Sequence, residues 1–478
     1  MTTLKKGGLL YEQVAGNIAR QIQAGALRPG DRVPSVRRAS LQHRVSVTTA
    51  VQAYLELENR GLIEARPQSG FYVRSRQRVN VPEPLLSNPA KSLRAGGTPE
   101  DFLATIFEAV NRPNIVPLGA ACPSPELLPV KKLNRILSSV NRSTGAKGLE
   151  YDMPPGCLPL RRQLAKRSLD LGTNLTPDEF IITCGSMEAL ALCLRAVTNA
   201  GDAVAIESPT YFGIVQLIAS LGLKAVEIPT HPRTGLDLNK LEKTLNTRKI
   251  AACLAIPNFN NPLGSLMPDS NKERLVTMLA EREIPLIEDD IYGDLHFGPT
   301  RPRVAKSYDQ EGLVMLCSSF SKTLAPGYRV GWVAPGRFFE KMRNLKFTST
   351  LADATLPPLA VAEFLSSGGY DHHLRSLRRT FARQVERVSD AVADSFPSGI
   401  KITRPTGGFV IWVELPSRVD ALKLHARALA EGISIAPGPL FSSSGGFHNF
   451  IRLSCGYPWS AGIERGIGIL GYLVKQMM

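Results

Sequence analysis

Cys317-Ser318-Ser319-Phe320-Ser321-Lys322-Thr323-Leu324-Ala325-Pro326-Gly327-Tyr328-Arg329-Val330-Gly331-Trp332 follows directly on an apolar run, Leu313-Val314-Met315-Leu316. A short β-rich apolar run of this kind reads as a buried strand of a parallel sheet. The chain then delivers a lysine flanked by small hydroxyl residues, with an arginine seven positions later. A primary amine condenses with an aldehyde, and hydroxyls with a guanidinium hold a phosphate, so the stretch suits a phosphorylated aldehyde. Ser-Lys by itself is usually a solvated lysine after a strand. The other segments have to supply the rest of a site.

At 478 residues the chain is long enough for roughly two to four domains. No apolar run approaches a membrane span, and no apolar h-region follows Lys5-Lys6, so a soluble, cytoplasmic protein without membrane contact is expected. Seven scattered cysteines without a Cys-x-x-Cys pair fit a reducing compartment and give no reason to expect a bound metal. The net charge of +15 is unevenly placed: residues 1–78 hold thirteen Lys and Arg against five Asp and Glu. About half of the excess therefore sits in the first sixth of the chain, which points to a module facing a polyanion.

Leu10, Tyr11, Val14, Ile18 and Ile22 recur at helical spacing, and Gly25 with Pro29-Gly30 stops that helix. Ser35 can cap a second helix and Ser46 a third, which is expected to carry Val51, Tyr54, Leu55 and Leu57 on one face. Leu62-Ile63-Glu64-Ala65 and Phe71-Tyr72-Val73 alternate as two strands around Arg66-Pro67-Gln68-Ser69-Gly70, a hairpin or wing. Helices ahead of a β-hairpin are the layout of a winged helix-turn-helix.

The segments Leu10-Tyr11-Glu12-Gln13, Val33-Pro34-Ser35-Val36-Arg37, Val45-Ser46-Val47-Thr48-Thr49 and Ser69-Gly70-Phe71-Tyr72-Val73 resemble the GntR-type winged-helix domain. The resemblance implies DNA contacts from Arg37, Ser46, Thr48, Thr49 and Gly70. One departure matters: the family often has Arg where this chain has Val47, and no basic residue follows on the third helix before Arg60. Thr or Val contacts to thymine methyl groups and phosphates then replace base reading by Arg. A linker rich in Pro, Ser, Asn and Gly follows, so the expected domains are residues 8–76, a tether over 77–100, and residues 101–478 with a small subdomain from about 345.

From about residue 100, strand-like runs alternate with helical ones, predicting an α/β domain with a mostly parallel sheet and ligand groups at the carboxyl ends of its strands. At those ends lie Cys184-Gly185-Ser186-Met187, a phosphate seat at a helix start, and Tyr211, an aromatic ring for a flat ligand. Asn261 follows Pro257-Asn258-Phe259-Asn260, and two acids with a phenol occupy Asp289-Asp290-Ile291-Tyr292. Singly each is weak, because Gly-Ser turns and Asp-Asp helix caps are common.

In this order the segments resemble the fold-type I aminotransferases, from about Pro117 onward. The resemblance implies pyridoxal 5′-phosphate bound covalently by Lys322, with Asp289 on its ring nitrogen; Asp290 competes, but the Asp-x-x-Tyr spacing favours Asp289. It further implies Asn261 and Tyr292 on the phenolic oxygen, Tyr211 stacked on the ring, and Gly185, Ser186, Met187, Ser319, Ser321 and Arg329 on the phosphate. Arg452 would hold a substrate α-carboxylate, against the ordinary alternative of a surface ion pair, and Tyr151 would reach a neighbouring subunit's phosphate, which implies a homodimer. The combination resembles the MocR subgroup of bacterial regulators, implying a regulator that binds a double-stranded DNA operator and senses an amino compound or the cofactor itself. A metabolic aminotransferase with a DNA-binding module and a cofactor-free repressor are the two rivals.

Overall fold

The protein is described by a computed structural model covering residues 9–24, 26–27, 30–66, 69–73, 81–85, 106, 112 and 114–478. The helix stop at Gly25 and Pro29, Pro67-Gln68 of the wing, and most of the expected tether lie outside the described residues. The chain divides into two compact units, Met1–Asn80 and Val81–Met478.

The N-terminal unit contains α1 (Leu10–Gln23), α2 (Val36–His43), α3 (Val47–Asn59), β1 (Ile63–Arg66) and β2 (Gly70–Val73). Ser35 caps α2 by accepting from the Arg38 N–H, and Ser46 caps α3 by accepting from the Thr49 N–H. The turn between them passes through Arg44 in the left-handed region, φ 52°. β1 and β2 pair antiparallel from Ile63 opposite Val73 to Arg66 opposite Gly70, whose φ of 105° only glycine adopts freely.

The core joins Val14, Ile18 and Ala19 of α1 to Ala53, Tyr54 and Leu57 of α3, with Val33, Ala39, Ile63 and Val73 closing it. The Tyr54 ring meets Phe71 edge-on at 5.1 Å, and its hydroxyl donates to the Pro34 carbonyl. Here the structure corrects the expected face of α3. Ala50, Ala53, Tyr54 and Leu57 are the buried set, while Val51 and Leu55 point outward, 41% and 50% exposed. Spacings of three and four residues put Ala50, Ala53, Tyr54 and Leu57 on one stripe, and two small alanines let α3 approach α1 closely.

In the C-terminal unit, β3 (Val116–Pro117) precedes the strands of the main sheet. These are β4 (Ile181–Thr183), β5 (Ala203–Ser208), β6 (Lys224–His231), β7 (Gly235–Leu236), β8 (Ala252–Ala255), β9 (Leu286–Asp289), β10 (Val314–Ser319) and β11 (Gly331–Ala334). Among the described residues the sheet runs β4-β11-β10-β9-β8-β5-β6-β7. The five central strands from β10 to β6 are parallel, and β11 is antiparallel to both of its neighbours. Since β11 runs backwards, its first residue, Gly331, lies at the edge where the other strands end. Ser319, Gly331 and Thr183 therefore stand side by side.

The small subdomain is a second sheet, with β12 (Lys401–Ile402), β13 (Val410–Glu414), β15 (Ala436–Pro437) and β16 (Phe450–Ser454) in the order β12-β13-β16-β15. It is backed by helices Gly369–Ser395, Ala421–Ala430 and Ala461–Gln476. β14 (Ile433–Ser434) pairs with β3, which brings residues 116–122 against this subdomain. Residues 81–85, expected within the tether, are docked on the C-terminal unit. Val81 joins its core, Pro82 accepts from the Ile402 N–H at 3.0 Å, and Glu83 pairs with Arg233 at 2.6 Å. Because the N-terminal unit has its own core, Leu57→Ala is expected to cost it about 2–5 kcal/mol. Calorimetry of the full chain should show a lowered transition for that unit and an unchanged one for the rest.

Candidate functional site

The strand ends bring the glycines, serines and Arg329 of the expected phosphate seat together. Thr183 Oγ1 donates to the Gly185 carbonyl at 2.9 Å, turning the chain into helix Gly185–Val197 with Gly185 at φ 75°. A Cβ on Gly185 would collide with the Arg329 guanidinium, and one on Gly331 would collide with the Gly185 backbone. Both positions are therefore restricted to glycine by close approach. Arg329 donates to Ser321 Oγ at 3.3 Å and to the Cys184 carbonyl at 3.2 Å, and the Ser321 N–H donates to Ser319 Oγ at 3.0 Å. Ser186 and Met187 lie on the first turn of the helix, whose free N–H groups face the same seat.

Lys322 emerges just beyond β10, and its Nζ donates to the Ala121 carbonyl at 2.7 Å. Burial lowers its pKa, with the charges of Arg452 and Arg329 acting in the same sense and Cys122 and Asp289 opposing them. A lysine so placed holds more neutral, nucleophilic amine at neutral pH than an exposed one. The next residue, Thr323, is held by the Tyr370 hydroxyl at 2.8 Å and by His373 Nε2 against its carbonyl at 2.8 Å.

Asp289 and Asp290 have different duties. Asp290 accepts from Asn258 Nδ2 at 2.8 Å and pairs with Arg301, which also holds Asp294 at 2.7 Å. Asp289 stands opposite Cys317 in the sheet register and, among the described residues, accepts only from the Ile291 N–H, at 3.1 Å. Burial pushes the Asp289 carboxyl up to about 7, against the pull of that N–H and of Lys322. It is a buried acid whose side chain, among the described residues, meets no cation in hydrogen-bonding range.

On the opposite wall Arg452 is fully buried in β16. One Nη donates to Asn261 Oδ1 at 3.3 Å, the other to the Gly119 carbonyl, and Nε has no partner. Asn261 Nδ2 in turn donates to the Tyr292 hydroxyl at 3.3 Å. Among the described residues no carboxylate pairs with Arg452, and burial pushes its pKa down. A surface ion pair, the ordinary reading of a strand arginine, does not describe it. Tyr211 leads helix Phe212–Ser220, and burial raises its phenol to about 12. Tyr151 does not join this cluster: it is 76% exposed.

Sequence reasoning passed over Leu118–Cys122, which supplies the carbonyls for Arg452 and Lys322 and places the Cys122 thiol at the same pocket. The available signal was the small-residue run Gly119-Ala120-Ala121. It also missed Asn258 and Arg301, whose roles depend on contacts distant in sequence. Among the described residues no His, Cys, Asp and Glu grouping suits a metal ion, and no helix is long and apolar enough to cross a membrane.

Of the N-terminal candidates, Arg37 and Thr48 are exposed, and Gly70 sits beside the Arg32 side chain at the wing. The Ser46 hydroxyl is taken up in capping α3 and bonds Thr49 Oγ1 at 2.8 Å.

The family model for aminotransferase class I and II matches residues 128–464, and that for bacterial regulatory proteins of the gntR family matches residues 10–73. The chain belongs to the aminotransferase class I and II family and carries a gntR-family domain, the MocR arrangement. It is 37% identical to the HTH-type transcriptional regulator YdcR of Escherichia coli, over 98% of this chain and 99% of that one. The 2-aminoadipate transaminase of Thermus thermophilus is 31% identical over 83% of this MocR-type chain and 99% of its own length. Among solved structures, LysN, the α-aminoadipate aminotransferase from Thermus thermophilus complexed with N-(5′-phosphopyridoxyl)-L-leucine, superposes with a TM-score of 0.73. That match has 30% identity and covers 80% of this chain and 97% of the other.

The titration of Asp289 gives a signed prediction for the cofactor-free chain. Burial raises its folded pKa to about 7, above the ordinary aspartate range, so its contribution to stability is present at low pH and is lost as pH rises through 7. Asp289→Asn is expected to leave thermal stability near that of the parent at pH 4 and to exceed it increasingly up to about pH 8. Melting curves of the cofactor-free proteins across that range provide the check.

Proposed function

We propose that this chain is a DNA-binding transcription regulator whose C-terminal unit holds pyridoxal 5′-phosphate and senses an amino compound there. The observation that carries the reading is the union of a gntR-family unit with a lysine pocket containing a buried, unpaired Arg452. The residues present fit the cofactor. The glycine-restricted cup at Gly185, Ser186, Met187, Ser319, Ser321 and Arg329 suits a phosphate, and Lys322 suits its aldehyde. Asp289, the acid left without a cation, suits a protonated ring nitrogen, which would pull its carboxyl back into the ionised range. Asn261 and Tyr292 would face the phenolic oxygen, with Tyr211 against the ring.

When bound, the cofactor supplies an electron sink next to an amine. The chain's own groups do the selecting: Arg452 takes the carboxylate of an amino acid by its unpaired Nε and forked Nη groups. Lys322, kept partly neutral by burial, can accept a proton. The exposed Tyr151 is read as a contact to the cup of a second copy, making the regulator a homodimer with two DNA-binding units. An effector then changes DNA binding only if it binds two arrangements of those units unequally. The 31% identity to a transaminase supports a second reading, residual transamination at the same pocket.

Lys322→Ala is expected to abolish the visible absorbance of the purified holoprotein; a colourless parent chain would refute the cofactor reading. Arg452→Ala should weaken amino acid binding by about 2–5 kcal/mol, roughly thirtyfold or more, in a spectral titration. Amines without a carboxylate should bind both proteins alike. Rapid multiple turnover between an amino acid and a keto acid, with no salt-sensitive binding to any duplex, would favour the enzyme reading.

A further inference from the structure

The outward face of the first two turns of α3 carries no charge. Val47 and Val51 are 52% and 41% exposed, and Thr48 and Gln52 are exposed beside them. At about 100° per residue these four positions form one contiguous strip over the first two turns. None of the four belongs to the core, which α3 supplies through Ala53, Tyr54 and Leu57. Together they make an uncharged, partly apolar strip open to solvent.

The elements next to α3 in the chain and the wing carry exposed cations. Arg37 and Arg38 on α2, Arg44 in the turn and Arg32 beside the wing are all exposed. The acidic residues of α3, Glu56 and Glu58, lie at its far end; Glu56 pairs with Arg60 at 3.1 Å and Glu58 accepts from the Ala65 N–H at 3.1 Å. The exposed cations therefore lie on the segments that lead into the N-terminal end of α3, the end that enters a major groove in helix-turn-helix proteins. This charge complementarity selects duplex DNA as the occupant of the strip, over an apolar protein segment.

Phosphate contacts set position and carry no direct sequence information, which base edges supply. In the major groove the thymine methyl is the apolar feature, and the adenine N6 and N7 pair is matched by a side-chain amide. We infer that α3 reads A·T pairs: Val47, Thr48 and Val51 contact thymine methyl groups, and Gln52 makes the bidentate contact to an adjacent adenine. The inference rests on the DNA-binding reading above and deepens it by naming the base pairs recognised.

The test uses the full-length holoprotein and duplexes selected by it from a randomised pool, with affinities measured by fluorescence anisotropy. Selected half-sites should be centred on A·T pairs. Replacing a contacted thymine by deoxyuracil removes only the methyl group, and should weaken binding about fourfold per methyl, the equivalent of one buried CH₂. That loss should disappear in Val47→Ala or Val51→Ala, whose exposed positions leave the fold intact. Gln52→Ala should weaken the selected site about 5- to 150-fold while leaving binding to unrelated duplex unchanged. Replacing the contacted adenine by 7-deazaadenine should weaken the parent and have no effect on Gln52→Ala.

Selected sites with guanine at the contacted positions would overturn the inference while leaving the regulator reading intact. So would indifference to every uracil substitution, or full specific affinity in Val47→Ala with Val51→Ala. Failure to bind any duplex in a salt-sensitive manner would instead overturn the DNA-binding reading itself.

Discussion

The pairing of Asp290 with Arg301 is the constraint that orders the pocket. Two adjacent acids leave β9, and they cannot both lie ionised and unpaired in a buried site. Arg301 takes one of them, and Asn258 fixes it from the other side. The same guanidinium holds Asp294, which bonds the Tyr370 hydroxyl at 3.0 Å, and that hydroxyl reaches Thr323 beside Lys322. One continuous chain of bonds thus fixes the end of β9 and the lysine turn after β10. Breaking a buried ion pair by removing one partner generally costs about 3–5 kcal/mol, so this network resists rearrangement. Asp289 is left as the free acid by exclusion.

The pocket then holds opposite kinds of incompleteness in fixed places. Asp289 lacks a cation, and Arg452 lacks an anion. They do not neutralise each other because separate sheets carry them: Asp289 ends a strand of the main sheet, while Arg452 lies within β16 of the small one, tied to Gly119 and Asn261. The protein pays for this separation in desolvation. On the proposed function, what it gains is preorganisation: a ligand carboxylate and a cationic cofactor ring would find their partners already oriented.

The fold was legible in the residues: strand-like runs with polar groups at their exits announced the sheet and the edge where those groups gather. The Asp-x-x-Tyr spacing favoured Asp289 for the proposed cofactor contact, and the structure ties the neighbouring Asp290 to Arg301. Three things were not legible, each for a physical reason. The direction of Gly331–Ala334 depends on the length of the return from Lys322, because an apolar run looks the same in either sense. Apolar character put Val51 and Leu55 on one face with Tyr54 and Leu57, whereas Ala50 and Ala53 complete the buried stripe with Tyr54 and Leu57. Residues 81–85 have a linker's composition, yet Val81 and Glu83 find partners near Ile402 and Arg233, more than a hundred positions away.

The outer strip of α3 has a consequence for how such a protein can change over generations. Val47, Thr48, Val51 and Gln52 make no contribution to the core, and the arginines beside them belong to other elements. Substitutions on the strip therefore leave the core of the N-terminal unit in place. If the strip reads bases as proposed, a duplicated copy of this chain could drift toward new target sequences one residue at a time without first losing stability.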